Sequence, residues 1–415
     1  MRRLALIFGW MLMAAACGGP GSSGATTANL GTIKIGGTFP LSGNIASAGT
    51  NDANGVRLAV DVLNGKYPSI GIPKLTVGKI ELDAADNQGD AQVGGSDVDR
   101  LVSQDKAVAI IGAYASAVSV TASEHAERLG VPFMNDASGA ASLSDRGLKW
   151  WFRPGPTYFE MGQTYFDYLK SIQAQHPVKK VVLMHMNDAA GTDFSNVIKK
   201  DASNNGVQIL DDITVQPNTP DFTSQVQRIR SLSPDALFVV LFINDTANFL
   251  KTSAQLGYTP PAILAGGGGW DDPTFAQVTK PYGVDNIRAV TWGLQVTDKN
   301  KLAKQVDDQF VKNYGIHMNG DSARSFTSMI LLGQAIESAK STDPEKIRTA
   351  LKAMNVPGNK TIMPWKSVQF DSRGQNTNAG YIVLQLTPDK DWQVLYPADL
   401  ATTQLVWPMP AFNQR

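Results

Sequence analysis

The chain has 415 residues, enough for two domains with separate cores. Lys plus Arg and Asp plus Glu each number 37, so the formal net charge is zero. That argues against a nucleic-acid partner, which requires a basic surface. A hydrophobic content of 43% with 18% charged residues excludes a disordered chain. The single cysteine, Cys17, excludes an internal disulfide and a cysteine-based metal site.

Arg2 and Arg3 give a positive start, residues 4–13 are apolar, and Ala14, Ala15 and Ala16 lead to Cys17. This is the anatomy of a secretory signal peptide, and it is too short for a stable membrane span. The small residues before the cysteine resemble the bacterial lipoprotein processing site, with Ala14 where that site usually has leucine. The resemblance implies that Cys17 is lipidated and becomes the first mature residue; the other reading is an exported protein with an unused thiol. Residues 18–29, GGPGSSGATTAN, read as a flexible tether without core residues. The body is therefore expected outside the cytoplasm, anchored to a membrane through lipid.

Alternation predicts a strand over 32–38, and helical spacing predicts a helix over 51–63 closed by Asn64 and Gly65. A strand over 79–83, a helix over 90–105 and a strand over 108–111 follow. The stretch 110–123, IIGAYASAVSVTAS, leaves that strand at Gly112, passes a small-residue turn and enters a helix running to Gly130, with Ser116 about at its start. A helix start carries unpaired N–H groups and partial positive charge, which suits a carboxylate. Ser116 is equally suited to capping alone. A fourth strand covers 131–134. After Trp150 and Trp151 the pattern restarts: helix 158–172, strand 180–186, helix 194–202, strand 208–215, helix 222–232, an apolar strand 236–243, helix 245–256 and strand 262–264. The turn 266–269 is all glycine. A strand over 289–293, helices over 298–314, 323–339 and 344–353, and strands over 367–370 and 381–385 complete the reading. Strands alternating with helices mean parallel sheets, and the repeated beat means two lobes of one architecture.

The ordered set Ile33, Lys34, Ile35 and Gly36, then Pro40, Leu41, Ser42 and Gly43, Gly55 and Ala59, Asp83, Ile110, Ile111 and Gly112 with Ser116, Pro132 with Ala137, Ser138 and Gly139, Asp221 and Phe222, and Phe370 and Asp371 with Gly374 resembles the substrate-binding lipoproteins of bacterial ABC importers, of the branched-chain amino-acid (leucine/isoleucine/valine) type. The resemblance covers about residues 32–390. It implies a type I periplasmic-binding fold: two Rossmann-like α/β lobes joined by three hinge strands, closing on a ligand. The implied division is a leader at 1–16, a tether at 17–31, a first lobe from 32–154 plus 285–371, a second lobe from 155–284 plus 372–400, and a tail at 401–415.

The resemblance also implies a carboxylate site at Ser116 and the turn Ala137, Ser138 and Gly139. Gly139 stands where leucine-binding relatives have threonine, so Ser138 is expected to supply the hydroxyl. In the second lobe, Ala190 replaces an aromatic residue and Phe242 replaces a tyrosine. The acidic residue that pairs with a ligand ammonium aligns near Gly267 and is missing. An unpaired buried ammonium is costly, so either Asp271 or Asp272 substitutes or the ligand has no amine there. Ala48 replaces a further aromatic and is expected to enlarge the pocket. Tyr114 leaves the key strand toward the cleft, Trp270 either stacks on ligand or covers the hinge, Phe242 either lines the cleft or packs in the core, and Asp272 before Pro273 suits a helix cap.

Enzyme readings fall short. His185, near Asp188, is a candidate polar lining residue, but no oriented partner and nucleophile surround it. The 266–269 turn lacks phosphate-loop partners, and no His, Asp or Glu cluster has metal-ligand spacing. No cofactor is expected. Two readings remain: a solute receptor delivering a small carboxylate, amide or amino-acid-like ligand to importer permease subunits, and a ligand sensor of the same fold signalling to a partner protein. Branched-chain amino acids are not favoured over aromatic acids or other non-amino ligands.

Overall fold

The computed structural model describes residues 29–389 and 392–414; the expected leader, Cys17 and the tether up to residue 28 lie outside them. Parallel pairing builds the first sheet from β1 (Thr32–Phe39), β2 (Lys79–Asp86), β3 (Ile110–Gly112), β4 (Phe133–Asn135) and β5 (Trp151–Phe152), in the order β2-β1-β3-β4-β5. Helices α1 (Ala46–Leu63), α2 (Ala91–Ser103) and α3 (Ser116–Leu129) connect its strands. The local stops are those the sequence supplies. Asp90 caps α2 through the N–H groups of Gln92 and Val93, and Gly130 ends α3 in the left-handed region at φ +68°.

The chain then crosses to a second sheet. Helix α4 (Tyr158–Ile172) opens on a capping box between Thr157 and Glu160. The parallel strands are β6 (Lys180–Met186), β7 (Gln208–Val215), β8 (Ala236–Val240), β9 (Ile263–Gly266) and β10 (Ile287–Val290). Helices α5 (Ala189–Asn204), α6 (Thr223–Leu232), α7 (Ile243–Gln255) and α8 (Phe275–Val278) lie between them. Every residue of β8 is buried, as a strand covered on both faces requires.

After β10 the chain returns to the first lobe for α9 (Val296–Lys299), α10 (Lys301–Tyr314), α11 (Gly320–Ala339) and α12 (Pro344–Lys352), and for the short pair β11 (Asn355–Pro357) and β12 (Ser367–Gln369). Helix α11 packs along α1. A third crossing leads to β13 (Ile382–Leu386) and β14 (Trp392–Tyr396), which extend the second sheet antiparallel to give β14-β13-β10-β9-β8-β6-β7. The architecture is thus two α/β lobes joined by three crossings. One boundary differs from expectation. The first lobe was expected to resume at 285, but β10 pairs with β9 and buries Ile287 and Ala289 in the second core, so the chain crosses only after Val290. The tail also joins the second core, through Met409 and Phe412. No helix among the described residues is long and apolar enough to cross a membrane.

Two crossings are bound to each other. Arg153 N donates to Gly374 O at 2.8 Å, and Asn376 N donates to Arg153 O at 3.0 Å. The Arg153 side chain is fully buried and donates to Gln375 Oε1 (2.6 Å), Ala140 O (2.7 Å), Ser144 Oγ (2.9 Å) and Ser138 O (3.2 Å). Burial lowers its pKa to about 10, so it remains a cation at neutral pH. Removing it takes a donor from four buried acceptors, of which Gln375 Oε1, Ser144 Oγ and Ala140 O keep another from Ser144, Trp151 and Leu143. Arg153→Met is expected to cost about 3 kcal/mol, read from the midpoint of urea unfolding; a loss below about 1 kcal/mol would contradict this role.

Candidate ligand-binding cleft

The carboxyl ends of the two sheets face each other, and between them lies a cleft of about 570 Å³ counting its open mouth. The first lobe contributes Tyr114, Ser116, Ala137 and Gly139, and the second contributes Ala190, Phe242 and Gly267. Asp271 completes the expected residues that line it.

Ser116 is the first residue of α3, and Ala115 holds the cap position without a side-chain bond. Its hydroxyl is therefore not spent on capping; it accepts from Ala140 N at 3.4 Å. Tyr114, at φ +63°, reaches over the cleft to donate to Gly268 O at 3.4 Å. Phe242 lines the cleft at the N-cap of α7, and Ala190 does so in the first turn of α5, where Asp188 accepts from Gly191 N at 2.8 Å.

The cleft differs from expectation at Ser138, Trp270, Ala48 and His185. Ser138 does not offer its hydroxyl to the cleft: Oγ donates to Tyr114 O (2.8 Å) and bonds to Ser119 Oγ (2.7 Å), because the buried loop needs that bond internally. Trp270 is wholly buried against Phe275, ring centroids 5.2 Å apart, so it belongs to the second core. Ala48 packs with Ile45, Tyr114 and Ala137 rather than opening the pocket. His185 turns its ring to Asp212, Nε2 to Oδ1 3.1 Å. Asp272 uses its carboxylate on Thr274 N (2.8 Å) and on Ser47 of the first lobe.

Tyr158 was not anticipated, although an aromatic at a helix start beside a crossing is a visible signal. It stands between Gly139 and Gly267. A Cβ at Gly139 would meet its ring at 2.7 Å, and one at Gly267 would meet its hydroxyl at 2.6 Å. Gly267 also holds φ +62°. The place where an acidic side chain was sought is therefore filled by a phenol from α4. Gly267→Ala is expected to destabilise the protein by about 1–3 kcal/mol. Adding Tyr158→Phe should recover part of that loss, and strictly additive unfolding energies in the double variant would refute the steric account.

The first turn of α11 supplies Asp321 and Arg324, also unanticipated. Both are buried, both line the cleft, and they pair with each other. Thr291, Tyr381, Met161 and Met186 complete the wall. Asp271 Oδ1 lies 3.3 Å from Arg288 Nη1, whose guanidinium stacks 3.7 Å over Trp392 and donates to Trp270 O at 2.6 Å. Burial, reinforced by the Asp321 charge, pushes Asp271 up to about 7. Burial likewise raises Asp136 to about 6, against the N–H groups of Tyr114 and Ala137. Asp52 is raised well above its ordinary range by burial and then by Asp136.

An acid held above its unfolded value is ionised in the unfolded chain before it ionises in the fold. These groups therefore withdraw stability as pH climbs from about 4 through about 6 for Asp136 and about 7 for Asp271. The thermal midpoint should be lower at pH 8 than at pH 5, and Asp271→Asn should shrink the difference. A midpoint that rises over that interval would refute the assignment.

The sequence model of the periplasmic binding protein family matches residues 32–391. A Leu/Ile/Val-binding protein homolog 8 from Brucella suis biovar 1 (strain 1330) is 28% identical over 403 residues, 95% of this chain and 98% of that protein. The branched-chain amino acid transporter substrate binding protein LivJ from Streptococcus pneumoniae, solved with isoleucine, superposes with a TM-score of 0.74 at 22% identity, over 88% of this chain and 100% of its own. A solute binding protein of an ABC transporter from Rhodopseudomonas palustris BisB5, solved with 3,4-dihydroxy benzoic acid, has the same TM-score of 0.74 at 19% identity, over 91% and 98%.

Proposed function

Because the chain belongs to the periplasmic binding protein family, we propose that it is the extracytoplasmic solute receptor of an ABC importer. It captures a small carboxylate, amide or amino-acid-like solute by closing its two lobes and delivers it to the permease subunits. In this reading Cys17 carries the lipid anchor and the tether lets the body reach the transporter. Its role is binding without chemical conversion.

The observation that carries the reading is the Ser116 hydroxyl, free of capping duty, in the same cavity as Ala190, Phe242 and Gly267 of the opposite lobe. Ser116, the first turn of α3 and the Ala137–Gly139 turn hold the ligand carboxylate. Tyr114, Phe242, Ala190, Met161 and Met186 enclose its body. Ligand contacts to both lobes offset the ordering and desolvation that closure costs. Only the closed form then presents both lobe surfaces in register to the permease.

A thermal-shift screen of amino acids against matched carboxylates lacking the amine tests this. Carboxylate-bearing solutes should raise the midpoint, and removing the amine should not abolish the shift. Ser116→Ala should weaken binding about tenfold, the worth of one hydrogen bond to a charged group. Undiminished binding by that variant removes Ser116 from the site, and tight leucine binding with none by 4-methylpentanoate overturns the reading that the ligand needs no amine.

A further inference from the structure

Away from Ser116, the cleft holds polar groups that the carboxylate site does not use. Arg324 is buried, yet its guanidinium spends only Nη2 on Asp321 and Nε on Gly320 O (3.4 Å). Among the described residues Nη1 has no acceptor. The hydroxyls of Tyr158 and Tyr381, both on the cleft wall, have no hydrogen-bond partner among those residues either. Beside them, Asp271 is buried, and its Oδ1, 3.3 Å from Arg288 Nη1, has that ion pair but accepts no hydrogen bond. Uncommitted donors and a carboxylate oxygen that is ion-paired but not hydrogen-bonded thus stand beside one space, and buried polar groups without hydrogen bonds are costly.

We propose that Arg324, Tyr158 and Tyr381, set beside Asp271, form a second polar subsite that takes a neutral carboxamide-like group at the far end of the ligand. The proposal rests on the receptor reading above. A carboxamide offers a carbonyl to the guanidinium and phenols and N–H groups to the carboxylate, so both sets are satisfied together. An ammonium would answer Asp271 and leave every donor unpaired. A second carboxylate would answer the donors but stand against a region where Asp52, Asp136, Asp271 and Asp321 outnumber Arg288 and Arg324. An alkyl end answers neither.

Four probes of matched length separate these cases: succinamate, succinate, 4-aminobutanoate and pentanoate, titrated by calorimetry into the full chain. Succinamate should bind about tenfold tighter than each of the others. Arg324→Lys and Tyr158→Phe should each cut the ratio of succinamate to pentanoate affinity about fivefold. The wild-type ranking decides the question even if either variant fails to fold. Succinate, 4-aminobutanoate or pentanoate equalling succinamate overturns the subsite and leaves the receptor reading intact. So does binding of leucine or benzoate with none by the four probes. Binding of no solute at all overturns both.

Discussion

Parallel strands deliver all of their carboxyl ends to one edge of a sheet, and the loops and helix starts that follow must gather there. In this protein that constraint acts twice, on two sheets whose edges are turned toward each other. Ser116 follows β3, Ala137 and Gly139 follow β4, Phe242 follows β8, Gly267 follows β9 and Thr291 follows β10. The cleft is therefore the place to which parallel pairing sends every strand end. The buried Arg153 keeps the two edges facing. It ties the first crossing to the third and holds the carbonyls of Ser138 and Ala140 in the loop that flanks the site.

The same geometry concentrates charge. Helix starts favour carboxylates, and the cleft and its floor hold Asp52, Asp136, Asp271 and Asp321 out of water beside the buried cations Arg288 and Arg324. Such a set is expensive as pure structure, because burial penalises each charge and like charges compound it. Arg288 is itself committed to Asp271, Trp270 and Trp392. Arg324 is not fully committed, which makes it the group best placed to read a ligand. Perturbed acids of this kind gather at binding sites, and here they lie where a ligand would contact both lobes.

The alternation of strands and helices made the fold legible in the sequence. β8 needed no more than its unbroken apolar run, and α3 no more than its spacing and Gly130. Side-chain direction within small-residue loops was not legible. Ser138 and Gly139 are adjacent, and nothing in their identity says that the serine turns inward to Tyr114 O while the glycine faces the cleft. Trp270 and Asp271 diverge in the same way. The boundary at β10 was missed because an apolar strand fits either core. Arg324 was obscured by its surroundings, since α11 is buried along most of its length although its first half, GDSARSFTS, is polar in sequence.

Closure itself has a ligand-independent part. Asp193 of the second lobe accepts from Ala141 N (2.6 Å) and Ser142 N (3.2 Å) of the first, Ser47 bonds to Asp272, and Tyr114 donates to Gly268 O. These bonds lie between the lobes and involve no ligand atom, so they lower the cost of closing for any solute alike and carry no selectivity. Selectivity must then come from groups that closure buries without a protein partner. Nη1 of Arg324 and the phenols of Tyr158 and Tyr381 are such groups. A ligand that leaves them unpaired gains the rim bonds and loses their hydrogen bonds on desolvation, whereas one that pairs them gains both. On the proposed reading, affinity in this cleft is shared between a rim that holds the lobes together and a floor that selects the ligand.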